Sequence, residues 1–167
     1  MAELTTTERL QPSLLDRLTD DAPEQKDESR ERRVINAARL RECVMRDLGW
    51  LLNTVQLSAS ADLGAYPQVA DSVLNYGIPD LCGTSLRGAD VEALKRRIRD
   101  AILAFEPRLT PATLQVDVHM DEDRMDQTSL SFDIRSEMWA QPIPMRLYLK
   151  TRVDLENGRV DLTESYG

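Results

Sequence analysis

The chain has 167 residues, 41% of them hydrophobic and 30% charged, with a formal net charge of −8. That length suffices for one domain with a real core and a short tail. The acidic balance argues against nonspecific nucleic-acid binding, which needs clustered Lys and Arg to displace counterions, and no apolar run is long enough to span a bilayer.

The opening "MAELTTTERL" is acidic and lacks an apolar h-region, so no signal peptide is expected. Residues 1–28 read as a flexible tail. Within it, "QPSLLDRL" puts Leu14, Leu15 and Leu18 on one side of a short amphipathic turn, and "TDDAPEQKDES" has no apolar residue larger than Ala. Such an element either docks on a partner or folds back onto its own domain.

Residues 29–167 read as one domain. Ser29 is placed to cap a long helix whose apolar face runs from Val34 through Val44, Leu48, Leu51 and Leu52 to Val55, interrupted by Arg41. Gly49 inside it costs ~1 kcal/mol relative to Ala, which predicts close packing there. Trp50, beside the stripe, is expected in the core. Pro67 opens a short helix through Leu74, and Asn75-Tyr76-Gly77 with Pro79 ends it.

A third helix is expected from an N-cap at Asp90 to Phe105. Pro107 stops it by pushing Glu106 out of the α region. Its basic strip "LKRRIRD" reads as a solvated face or a contact for an acidic partner. After Pro111 the period changes to two. Leu114, Val116, Val118 and Met120 alternate with polar residues, as do Leu130, Phe132 and Ile134, then Ile143 through Val153. Asn157-Gly158 signals a hairpin before a last short strand, "RVDLTES". One apolar face per strand gives an α+β class: three helices packed on one face of a small, mainly antiparallel four-stranded sheet.

Chemistry is sparse. His119 is the one histidine, out of phase with the apolar side of its strand, so no two-histidine metal site exists. Cys43 and Cys82 lack CxxC spacing and suggest free thiols in a reducing, cytoplasmic compartment. No nucleophile elbow, P-loop, dinucleotide fingerprint or zincin motif occurs, and "HMDEDRMDQ" lacks the spacing of a calcium loop. No catalytic residue, cofactor or metal is therefore predicted.

A carboxylate pair of the glycosidase kind needs one acid held protonated by burial. Glu106, between Phe105 and Pro107, is the best candidate, but Arg108 beside it favours the ionised form. The two charges suit either a local ion pair or a partner surface. The short last strand is a candidate for a sheet edge, or for a neighbour of one, because short charged strands protect edges, and Val160 and Leu162 are the positions where proline would remove a backbone donor from a partner strand.

"RDLGWLLNT" (46–54), "YPQVADSVLNYGIPDLCG" (66–83) and "FEPRL" (105–109), in this order and spacing, resemble the TssE family, small baseplate subunits of bacterial type VI secretion systems. That family is similar to the gene-25 wedge protein of T-even phage baseplates. The resemblance runs from about Leu10 to the C-terminus and departs from the family at Gly49, where an acidic residue is more usual. It implies a non-catalytic structural component at the inner face of the cell envelope when assembled, without membrane insertion. The implied partners are the wedge proteins TssF, TssG and TssK and the sheath proteins TssB and TssC, whose first ring it would template. Glu106, Pro107 and Arg108 match the family's anchor to the wedge, with the two charges expected to point outward. Members have also been labelled lysozyme-like, so a peptidoglycan hydrolase acting through a carboxylate pair is the alternative.

Overall fold

A computed structural model describes residues 13–19, 23–24, 37–82, 88–120, 129–139 and 145–165. The tail's amphipathic turn is α1 (Leu14–Leu18), capped by the Ser13 hydroxyl, which accepts from the Asp16 N–H. Two long helices follow, α2 (Ala37–Leu52) and α4 (Gly88–Phe105), separated by the one-turn α3 (Pro67–Ala70) and a 3-10 turn at Val73–Asn75. Four strands complete the chain: β1 (Gln115–Met120), β2 (Ser129–Met138), β3 (Met145–Asp154) and β4 (Val160–Glu164).

The sheet is antiparallel throughout, in the order β1-β2-β3-β4. Period-two alternation in the sequence becomes one buried face: Leu114 and Val116, then Leu130, Phe132 and Ile134, then Leu147, Leu149 and Val153. Against it lie Val44, Leu48, Leu51 and Leu52 of α2 and Leu94, Ile98, Ala101 and Ile102 of α4. The predicted α+β architecture is present. The two long helices do the covering; α3 buries no residue.

Several local expectations change. Helix α4 begins at Gly88, so Asp90 falls inside its first turn. The Pro67–Leu74 helix breaks at Asp71, because Ser72 caps a new turn and leaves Val73 and Leu74 exposed. Trp50 is 50% exposed, with the Arg46 guanidinium 4.9 Å from its ring centre, so it lies outside the core. Nothing lies within 4 Å of where a side chain on Gly49 would start, so close packing is not the reason for that glycine. The positions expected at Ser29, Val34, Ile143 and the acidic loop 121–128 lie outside the described residues.

Gly77 is different. It holds φ +130, and an added Cβ would sit 2.3 Å from the Thr54 carbonyl oxygen. Here the chain crosses the end of α2 closely enough for Ile78 N–H to reach Thr54 O at 2.8 Å and Gln56 N–H to reach Ile78 O at 3.0 Å. Only glycine allows both the angle and the approach.

The two glycines should respond oppositely to alanine. Gly49→Ala is expected to stabilise the domain by ~0.5–1 kcal/mol through helix propensity, and Gly77→Ala to cost ~3 kcal/mol through strain and backbone collision. Urea unfolding of the two variants beside the parent chain checks both signs.

Candidate functional site

The end of α4 is built around a buried acid. Glu106 is 3% exposed, and its N–H still bonds Ile102 O at 2.8 Å, so the helix ladder continues one residue past Phe105. Pro107 then turns the chain. The turn brings Arg108 back over Glu106, whose Oε1 accepts from the Arg108 N–H (3.1 Å) and Nε (2.7 Å), while Oε2 accepts from Nη2. Two parallel bonds to one carboxylate make this a bidentate pair, the geometry that suits a guanidinium best.

Nη2 also reaches Asp47 Oδ2 on α2 at 2.6 Å. Asp47 Oδ1 takes both Nε (2.9 Å) and Nη2 (2.8 Å) of Arg46, and Arg46 Nη1 continues to Asp16 Oδ1 on α1 at 2.6 Å. Five charges thus alternate along one chain: Glu106, Arg108, Asp47, Arg46, Asp16. Tyr76 closes the side, its ring edge-on to Phe105 at 5.1 Å and its hydroxyl 3.4 Å from Asp47 O. Past the proline, Trp139 N–H donates to Arg108 O and Thr110 N–H to Glu137 O, both at 2.8 Å. Leu109, 2% exposed, plugs the core between them. The corner therefore joins α1, α2, α4 and the end of β2.

The electrostatics follow the contacts. For Arg108, burial works against the charge, but the bonds and fields of Glu106 and Asp47 outweigh it and push the pKa well above that of an ordinary guanidinium. For Asp16, burial raises the pKa, yet hydrogen bonds from Ser13 and Arg46 and the Arg46 charge prevail and bring it down to about 2. Arg108 Nη1 is buried without a partner among the described residues.

The expectation that Glu106 and Arg108 point outward is overturned. A carboxylate beside the core could not stay charged without a cation, and the proline turn delivers Arg108 to it. Of the trio, Pro107 alone is exposed. Asp47, Arg46 and Asp16 were not singled out from the sequence as site residues. The available signal was "RD" immediately before the buried Leu48, a charged pair adjoining the apolar stripe.

The other predicted residues lie on β4, far along the sheet from β1. Strand β4 is an edge, as expected. Ladder alternation turns the backbone groups of Val160, Leu162 and Glu164 away from β3, since Ser165 N–H bonds Tyr148 O and Asp154 N–H bonds Arg159 O. The Asn53 side chain, at the end of α2, takes both groups of Val160: its Oδ1 accepts from the Val160 N–H at 3.0 Å, and its Nδ2 donates to Val160 O at 2.8 Å. Val160 is therefore already paired, and Leu162 is the outward position of the two that remains.

No group of three or more metal-ligating side chains occurs among the described residues. His119 is largely solvent-facing, as expected. Cys43 is buried, Cys82 exposed, and neither forms a disulfide. A groove of about 310 Å³ beside α4 has Asp71 and Asp100 among its lining residues, both exposed.

The family described as baseplate wedge protein gp25 matches residues 38–143, from α2 to the approach to β3. The chain belongs to that family. Its match contains the whole α2–α4 corner with Asp47, Glu106, Pro107 and Arg108. No curated protein matches. Among solved structures, a candidate tail lysozyme from Geobacter sulfurreducens is similar at 17% identity, over 73% of this chain and 95% of that one, with a TM-score of 0.46. At that identity and score no residue's role is carried over from it.

Removing Arg108 from this gp25-family corner leaves Glu106 and Asp47 facing each other without their shared cation. Arg108→Ala is expected to cost ~2–4 kcal/mol and to lower the melting temperature by ~5–15 °C, measured on the isolated chain by calorimetry. The Asp16 contribution has the opposite pH sense to a histidine's. Its folded pKa lies below the unfolded one, so stabilisation is complete above pH ~4 and is lost as pH falls toward ~2. The difference in unfolding free energy between the parent chain and Asp16→Asn, measured from pH 7 to pH 2, should shrink over that window.

Proposed function

We propose that the chain is a non-catalytic structural subunit of a type VI secretion baseplate, of the TssE kind, anchored to wedge proteins and templating the first sheath ring. The observation that carries this reading is the charge-locked corner. Glu106, Arg108 and Asp47 fix the angle between α2 and the exit of α4, and Pro107 stands exposed on the rigid turn. Rigidity of this kind lowers the ordering cost of forming an interface. The charges serve the partner by setting the shape of the corner and not by reaching out to it.

The sheath role rests on the β4 edge. An incoming extended segment has Leu162 and Glu164 to pair with, while Asn53 holds Val160. The wedge partners TssF, TssG and TssK, the sheath partners TssB and TssC, and a cytoplasmic position at the envelope follow from the family resemblance.

The hydrolase alternative finds little support in the site. Glu106 and Asp47 are both ion-paired to one guanidinium, so neither is an isolated acid free to face a substrate. Asp71 and Asp100 are exposed, so neither sits in an apolar pocket of the kind a glycosidase acid occupies.

Two measurements test the reading. Purified chain should co-purify with coexpressed TssF and TssG and should not clear a peptidoglycan suspension; clearing that disappears in Asp71→Asn or Asp100→Asn would replace the structural role with an enzymatic one. Leu162→Pro should fold, still join the wedge and fail to start sheath growth, because proline removes one outward donor without adding charge. Normal sheaths growing from wedges that carry the variant would place the templating surface elsewhere. Val160→Pro is unsuited to this test, since it also breaks the Asn53 contact.

A further inference from the structure

Helix α1 is attached the wrong way round for a folded-back amphipathic helix. Leu14, Leu15 and Leu18 are 70%, 45% and 74% exposed, whereas the Asp16 side chain is only 8% exposed. Its leucines do not join the core. The contact that reaches across to the body is the Asp16 carboxylate on Arg46, set in place by the Ser13 hydroxyl, which donates to Asp16 Oδ2 at 2.6 Å. Cys43, 2% exposed, lies close enough to feel this carboxylate: burial first, and then the Asp16 charge, push its thiol pKa up. One helical turn has no stability of its own in water, so this attachment stands or falls with that carboxylate.

Arg46 does not need α1 to hold its shape. Asp47 grips Nε and Nη2, and the face of the guanidinium lies over Trp50. That leaves Nη1 as the edge directed at Asp16. With α1 lifted, Arg46 would be a preoriented cation, gripped on one edge, stacked on one face and open to an anion on the other edge. A carboxylate is the ligand such a group fits, and Asp16 is a bound example of one. Trp50, half-exposed alongside, adds a flat apolar neighbour of the kind enriched at binding hot spots.

We propose that α1 is an intramolecular cover, its Asp16 carboxylate holding the Arg46 edge for an acidic group of the wedge partner, which displaces α1 on binding. This rests on the wedge-anchoring role above, because Arg46 is joined through Asp47 to Arg108 and so borders the proposed anchor corner. The free subunit thereby keeps the open edge of a partly buried cation occupied until the partner supplies the replacing charge. The exchange swaps one carboxylate for another on the same guanidinium, so the Glu106–Arg108–Asp47 arrangement is kept. The price of displacement is only the loosening of a one-turn helix.

The test uses the full-length chain and reads amide hydrogen exchange over residues 13–19, where Thr19 N–H bonds Leu15 O and Asp16 N–H bonds Ser13 Oγ. In the free protein, Asp16→Asn should speed exchange in this segment about tenfold while leaving α4 and the sheet unchanged. In a Cys82→Ser background, where Cys43 is the remaining thiol, it should also speed alkylation of Cys43. When the parent chain binds TssF and TssG, the same segment should lose protection, and Asp16→Asn should bind them several-fold more tightly. Unchanged exchange in free Asp16→Asn would show that Asp16 does not hold the cover. Retained protection in the complex, or weaker binding by Asp16→Asn, would show that α1 is not displaced and is instead part of the interface. If the parent chain does not bind the wedge proteins at all, the anchoring role falls and displacement with it, and exchange in the free variant still decides whether Asp16 is the latch.

Discussion

A carboxylate buried beside an apolar core is the constraint from which the rest of this structure follows. Glu106 is almost fully removed from water, and a charge in that position must have its counter-charge within hydrogen-bonding distance. Arg108 can supply it only if the chain doubles back within two residues, which Pro107 arranges. Once there, Arg108 has donors left over, and Asp47 from α2 takes one. The need to neutralise one acid thus fixes the helix exit, the spacing of α2 and α4 and the direction in which the chain enters the sheet.

This also explains why a charge network replaces apolar packing at that end of the domain. Well-packed apolar residues in place of a buried ion pair often leave stability unchanged or higher. A bidentate pair, however, fixes direction as well as distance, whereas apolar contacts permit sliding. A wedge subunit of the gp25 family has to present the same angle in every copy, and directional bonds are suited to that requirement. Arg108 Nη1, without a partner among the described residues, marks the limit of the arrangement: two carboxylates still leave one guanidinium nitrogen unmatched.

The sheet was legible in the sequence because a period of two with apolar residues on one side has few other solutions, and Asn157-Gly158 marked the last hairpin, although its loop closes on Asp154 and Arg159 and is two residues longer than an Asn-Gly turn alone. The two covering helices were legible for the same kind of reason. The corner was not. Glu106 and Arg108 sit two apart, a spacing that on a continuing helix would put them on different faces, and the proline turn is what folds both the guanidinium and the backbone N–H of Arg108 onto one carboxylate. Asp47 is 61 residues from Arg108, and nothing local announces that the two will meet. Trp50 and Gly49 failed differently: each lies on the flank of a helix stripe, where a rotation of a few tens of degrees decides between core and solvent. Asn53 reads as ordinary C-terminal helix chemistry, and its role appears only once β4 is placed beside it.

Asn53 has a consequence for how β4 could ever be extended. A primary amide sets an N–H donor beside an acceptor oxygen, as a peptide group does, so the Asn53 side chain behaves as a single rung of an absent fifth strand, its second N–H going back to Gly49 O. The ladder position at Val160 is filled by the protein itself, and β4 ends at Glu164. Any strand that adds to this edge has only the rungs at Leu162 and Glu164 to share, and the amide acts as a hard stop at one end. A docking site with a stop is a ruler: it admits one alignment and makes a slipped one collide. The same shortness keeps each backbone pairing weak, so a wrongly seated strand leaves quickly and errors are corrected before they are built upon.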